Sequence, residues 1–163
     1  MRYSPLILLL IFSACFGKKP ETTGNEGKTL PEFSLLMLDS TYLNTKNIKT
    51  GKPSVFFIFS AYCPHCKSQL LSMLDNMDKL NETQIYMIAQ EPLSAIREYY
   101  KNANLVKFPN IKMGIDTSGF LGEYMHVKGI PYLALFDKEK KLLKAYLGPT
   151  KTSIIKDGLS LNN

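Results

Sequence analysis

The sequence predicts an α/β domain with a mixed central sheet flanked by helices. Three observations predict it. The run Ser54-Val55-Phe56-Phe57-Ile58-Phe59 is apolar at successive positions, the pattern of a central strand buried on both faces. Directly after it the period becomes helical: Leu70, Met73, Leu74 and Met77 share one face, with Gln69, Ser72, Asp75 and Asp78 elsewhere. Strand-like and helix-like segments then alternate toward the C-terminus, the order of a layered α/β fold.

The elements follow in order. The chain of 163 residues is long enough for one domain with a real core. Arg2 precedes an apolar stretch, 6–12, too short to span a bilayer in a folded protein, and Ser13-Ala14-Cys15 follows it. Residues 1–15 therefore read as a targeting segment outside the fold. Residues 16–29 are rich in Gly, Lys, Thr, Glu and Pro without apolar periodicity, and predict a flexible tether. The domain is expected over 30–163. Alternation of Phe33, Leu35 and Met37 predicts a half-buried strand; Asp39-Ser40 turns it, and Tyr42-Leu43 returns as an extra N-terminal β-hairpin. A helical turn is expected over 46–50, and Gly51-Lys52-Pro53 breaks the chain before the central strand.

Pro64 suits a first helical turn, where a missing N–H costs nothing. Residues 84–89 predict a strand, and Pro92 opens a helix through Ile96, Tyr99 and Tyr100. Residues 110–115 are a short, weakly patterned strand or extended loop. Asp116-Thr117-Ser118-Gly119 is a turn before a short helix over 120–124. Pro131 begins the strand over 132–136, the one position in such a strand that suits proline. Residues 137–140 turn into a hairpin partner over 141–147. Thr150 or Thr152 is expected to cap a last helix through Ile154, Ile155 and Leu159, weakened by Gly158.

The net charge of +6 comes from lysines spread along the chain, with one local cluster at Lys138, Lys140 and Lys141. No arginine-rich face or nucleic-acid motif accompanies them, so nucleic acid is not an expected partner. Three cysteines are present: Cys15, Cys63 and Cys66. Cys63 and Cys66 bracket Pro64 and His65 between the central strand and the first helix. A cysteine at a helix N-terminus is favoured as thiolate, the nucleophilic form, so Cys63 is expected to attack and Cys66, deeper, to resolve. A structural disulfide or a zinc half-site remain alternatives. The pair closes too short a loop to be the main staple of a domain, and a closed zinc site needs about four ligands, which His126 alone does not complete. No cofactor or metal is expected beyond the Cys63–Cys66 redox pair.

Ser13-Ala14-Cys15 resembles the lipobox of bacterial lipoproteins, with Phe12 departing from the usual aliphatic residue. That resemblance implies lipidation of Cys15, anchoring in a bilayer and an extracytoplasmic or periplasmic place in the bacterial cell envelope. The mature domain, 30–159, resembles the thioredoxin fold. Cys63-Pro64-His65-Cys66 matches its CxxC, and Gly129-Ile130-Pro131 matches its cis-proline loop. The segments Pro31-Glu32-Phe33-Ser34-Leu35, Leu38-Asp39, Gly51-Lys52-Pro53 and Asp116-Thr117-Ser118-Gly119 are similar to the TlpA/ResA-like branch of the redoxins. The resemblance implies a thiol–disulfide oxidoreductase acting on protein or peptide thiols, with a membrane electron donor or acceptor. It also implies a cis Pro131, with Ile130 offering backbone groups to substrate and Tyr62 flanking the site.

Three positions depart from the family pattern. Tyr62 replaces the tryptophan before the first cysteine. Phe57 stands where thioredoxins hold a buried aspartate, and Gln69 where many TlpA/ResA-like proteins hold a glutamate. His65 is then the titratable neighbour expected to tune the pair. The Pro64-His65 dipeptide resembles DsbA-like oxidants, and histidine there also occurs in disulfide isomerases, so an oxidase or isomerase is the alternative to a TlpA/ResA-like reductase. A peroxiredoxin is disfavoured by Phe56 and Ser60 at its motif positions. A non-enzymatic copper-delivery or scaffold lipoprotein is the remaining alternative, although Sco-type proteins use a wider CxxxC.

Overall fold

A computed structural model describes residues 18–160. The expected segments 1–15, including Cys15, lie outside the described residues. The chain forms β1 (Ser34–Met37), β2 (Tyr42–Asn44), β3 (Ser54–Ile58), α1 (Pro64–Leu74), β4 (Gln84–Ala89), α2 (Leu93–Asn102), β5 (Ile111–Ile115), α3 (Phe120–Tyr124), β6 (Tyr132–Phe136), β7 (Leu142–Leu147) and α4 (Thr152–Leu159). The strands make one mixed seven-stranded sheet in the order β2-β1-β5-β4-β3-β6-β7. β3 runs parallel to β4 and β4 to β5, while β6 pairs antiparallel to β3. The N-terminal hairpin expected from Asp39-Ser40 is present as β1–β2. None of the described helices is long and apolar enough to cross a membrane.

The alternation of side chains along β3 explains why every residue of that run is apolar or small. Val55, Phe57 and Phe59 face one layer, packed with Cys66, Leu70 and Met73 of α1, Ile96 of α2 and Ile155 of α4. Phe56 and Ile58 face the other, with Leu121 of α3, Phe33 and Ile48. Both faces are buried, so neither can carry a polar residue without a buried partner. The phenylalanines are core, as their clustering predicted.

β5 was weakly patterned because it is wedged between β4 and β1. A Cβ at Gly114 would lie 3.0 Å from the Leu36 carbonyl oxygen and 3.1 Å from Met37 Sδ, so any larger residue would crowd β1 and push it outward by a few tenths of an ångström. Two expectations need correction. Residues 18–29 do not hang free: Glu21 N–H donates to Ala145 O at 2.8 Å, Gly27 N–H to Leu142 O at 2.8 Å, and Leu142 N–H to Lys28 O at 2.9 Å. Asn25 is buried and donates to the Tyr124 carbonyl at 2.9 Å. The segment satisfies the backbone along the outer edge of β7, an edge that would otherwise be open. Composition gave no hint of this, because edge pairing uses main-chain groups. The second correction concerns α4. Lys151, not a threonine, is its N-cap residue. Thr152 Oγ1 donates to Ser72 O at 2.9 Å and so ties α4 to α1, while Thr150 Oγ1 donates to Gly148 O at 3.0 Å within the loop before α4.

Candidate active site

The site forms where β3 and β4 end side by side, at the carboxyl edge of the parallel part of the sheet, a usual place for function in α/β folds. After β3 the chain turns through Ser60, Ala61 and Tyr62. The turn is held by Cys63 N–H donating to Ser60 O at 3.2 Å and Tyr62 N–H to Ser60 Oγ at 3.2 Å. Cys63 is the N-cap of α1 in extended conformation, and Pro64 occupies the first turn. The Cys63 sulfur accepts the Cys66 N–H at 3.2 Å. It therefore takes the role a serine or aspartate oxygen plays at other helix starts.

The two thiols have unlike surroundings. Cys63 is partly exposed, and Cys66 is fully buried. Burial pushes the Cys66 thiol up to about 12, with smaller contributions from its hydrogen bond with Cys63 and from the charges of Cys63 and Glu91. His65 is exposed in the first turn of α1. Tyr62 is 76% exposed, a large aromatic left at the rim.

The Gly129-Ile130-Pro131 loop lies across from this turn. The Ile130–Pro131 peptide is cis, Ile130 is exposed, and Gly148 N–H donates to Pro131 O at 2.7 Å. A cavity of about 470 Å³ runs between the two loops, lined by Ser60, Glu91, Glu123, Lys128 and Ile130 among others. Of the expected residues, Tyr62 lies in the turn after β3, Cys63 caps α1, Pro64, His65 and Cys66 form its first turn, and Ile130 and Pro131 lie in the loop before β6; Ile130 lines the cavity and the cysteines do not. His126 is exposed, with φ of 52°, in the turn after α3. Among the described residues, no group of three or more His, Cys, Asp or Glu side chains could hold a metal ion.

Two site residues carried no signal in their own stretch of sequence. Tyr99 of α2 packs on Phe59 with ring centroids 5.3 Å apart, and burial, then the charges of Cys66 and Cys63, push its hydroxyl up to about 12. Glu91, just after β4, accepts the Ala61 N–H on Oε1 at 3.1 Å, and its Oε2 is buried with no hydrogen-bond partner among the described residues. The signal that could have found Glu91 is topological: an acid directly after the strand parallel to β3 must end beside the CxxC turn. Of the two family acid positions, Phe57 is buried core, and Gln69 is buried with its amide bonded to Thr150.

The redoxin family model matches residues 25–159. No curated protein sequence matches the chain. Among solved structures, the chain is similar to StoA from Bacillus subtilis, at 18% identity over 78% of this chain and 96% of that one, TM-score 0.60. It is similar to the exposed lipoprotein thioredoxin Etrx1 of Streptococcus pneumoniae, at 21% identity over 78% and 96%, TM-score 0.63. A secreted Mycobacterium tuberculosis disulfide oxidoreductase homologous to E. coli DsbE matches at 18% identity over 73% and 85%, TM-score 0.60. At these identities the likeness is one of fold.

Proposed function

Since the chain belongs to the redoxin family and is an oxidoreductase, we propose that it exchanges disulfides with extracytoplasmic protein thiols through Cys63 and Cys66, held to a membrane by lipid on Cys15. The observation that carries this reading is the asymmetry of the pair: a partly exposed sulfur capping α1 and a fully buried one behind it. Cys63 attacks a substrate disulfide and forms a mixed disulfide. Cys66 then attacks Cys63, releasing the second substrate sulfur and leaving the Cys63–Cys66 disulfide. The Ile130–Pro131 loop and Tyr62 flank the position an incoming peptide would take. The lipobox-like Ser13-Ala14-Cys15 supports the anchor, and the solved relatives described as a secreted protein and an exposed lipoprotein accord with a place in the cell envelope.

A TlpA/ResA-like reductase, supplied with electrons by a membrane partner, is the preferred direction. The oxidase reading is favoured by one observation, the exposed His65 in the first turn of α1. Trapping with Cys66→Ala tests the function. The variant is expected to accumulate mixed disulfides on Cys63 in cells, and a clean absence of adducts would count heavily against the reading. A redox titration sets the direction: a potential well below about −220 mV excludes the oxidase.

A further inference from the structure

We infer that Glu91 is the base that takes the proton from Cys66 when the buried thiol resolves the mixed disulfide. The inference rests on the dithiol reading above. Cys66 is sealed in the core cluster with Phe59 and Leu70, so its proton has few exits. Burial raises the Cys66 thiol far above neutral pH and keeps it protonated, and rapid resolution needs a base beside it.

The two positions where family members carry an acid offer none. Phe57 has no titratable group, and both amide atoms of Gln69 are committed to Thr150. His65 is exposed on the outer side of the first turn. Glu91 reaches the same end of the sheet from β4. Ala61 N–H fixes its Oε1 to the very turn that carries Cys63, and its charge acts on Cys66. Its Oε2 is the one buried side-chain oxygen or nitrogen among the described residues without a hydrogen-bond partner. An unpartnered buried carboxylate oxygen is costly and calls for an explanation; accepting a proton supplies one. The other titratable groups nearby are Cys63 across the turn, Tyr99 from α2 on the side of the thiols with Lys67 beside it, and Glu123 and Lys128, which line the cavity with Glu91. The Tyr99 hydroxyl, up at about 12, is no base at neutral pH.

In the mixed disulfide, the Cys63 sulfur is bonded to a substrate sulfur. Glu91 takes the Cys66 proton, directly or through one water, and the Cys66 sulfur attacks Cys63. The Cys63–Cys66 bond forms as the Cys63–substrate bond breaks. The electron pair leaves on the substrate sulfur, which regains a proton from Glu91 or solvent. The dithiol loses two electrons and the substrate disulfide gains two. In the oxidising direction the same carboxyl returns the proton to Cys66.

The test uses the reduced full-length chain in detergent, mixed with glutathione disulfide and quenched for mass spectrometry. Adduct formation on Cys63 and its resolution to the internal disulfide are timed separately from pH 5 to 9. In E91Q the amide oxygen can still accept from Ala61. Adduct formation is expected within about twofold of wild type, while resolution slows about a hundredfold at pH 7 and becomes proportional to hydroxide, a loss in the usual range for general-base removal. E91D is expected to recover part of the rate. Resolution in E91Q at the wild-type rate and with the wild-type pH profile would overturn the role of Glu91 and leave the dithiol reading standing. A wild type that forms no adduct on Cys63 would overturn both. If E91Q does not fold by circular dichroism, the wild-type profile decides: a plateau near neutral pH supports the inference, and strict proportionality to hydroxide throughout overturns it.

Discussion

Gln69 and Thr150 exchange two hydrogen bonds across 81 residues of chain: the Gln69 amide donates to Thr150 O at 3.1 Å, and Thr150 N–H donates to Gln69 Oε1 at 2.6 Å. Both residues are buried. The side chain that replaces the family glutamate therefore anchors the loop before α4 to α1. Gln69→Ala leaves a buried N–H and C=O without partners and is expected to cost about 2–4 kcal/mol in urea unfolding. Gln69→Glu keeps the acceptor but, once ionised, sets an oxygen against the Thr150 carbonyl. Its stability deficit should shrink as pH falls and the carboxyl protonates into a donor. A deficit independent of pH would contradict this account.

Gly158 tests the packing of α4 on the sheet. A Cβ there would lie 2.7 Å from Leu135 Cδ1, and Leu135 is fully buried. Alanine favours a helix over glycine by about 1 kcal/mol, but overpacking a core costs about 1–3 kcal/mol. Gly158→Ala is expected to destabilise by about 1 kcal/mol. A gain in thermal midpoint would show that Leu135 yields without strain.

Alkaline stability follows from the buried hydroxyls and thiol. Burial pushes Tyr86 and Tyr132 from 10.0 up to about 12, and Cys66 from 9.0 to about 12. The folded state keeps protons that the unfolded chain releases, so their contribution is full below about pH 9 and is lost as pH climbs toward 12. Urea midpoints measured from pH 8 to 11.5 should hold to about pH 9 and then fall toward the top of that range; a profile flat to pH 11.5 would show that these groups are hydrated when folded.

Tyr62 is exposed at the rim and contributes little packing. Tyr62→Ala should leave stability within about 0.5 kcal/mol of wild type. It should slow reduction of a protein disulfide several-fold while leaving the rate with glutathione disulfide unchanged, because only the larger substrate extends over the ring. Equal effects on both substrates would instead place Tyr62 in the chemistry of the pair.

Asn25 joins the N-terminal segment to the domain through the Tyr124 carbonyl. Asn25→Ala should cost about 1–2 kcal/mol and raise hydrogen exchange in the backbone of 18–29. Unchanged exchange would show that the main-chain bonds to β7 suffice.

Much of this architecture was legible wherever side-chain pattern is the cause of structure. β3 could be read from its unbroken apolar run, α1 from the change of period after Pro64, and the loop before β6 from Gly129-Ile130-Pro131. What escaped was decided by main-chain groups or by distance in sequence. Residues 18–29 look like a linker because their bonds to β7 are made by backbone. Gly114 looks like a defect in β5 until β1 is laid beside it. Glu91 has nothing unusual around it in sequence; it gains its place only when β4 lies parallel to β3. Gln69 reads as a surface residue of a helix, and Thr150 as a cap, until the fold brings them together.

The docked N-terminal segment also governs how far this domain can reach. With Cys15 as the proposed anchor, the chain is bonded to β7 already at Glu21. That leaves about six residues of leash, at most roughly 20 Å when extended, where a free tether to residue 30 could span about 50 Å. The domain would ride close over the bilayer in a restricted range of attitudes, and a partner's cysteines would have to be presented at a matching height above the lipid rather than sought by a swinging arm.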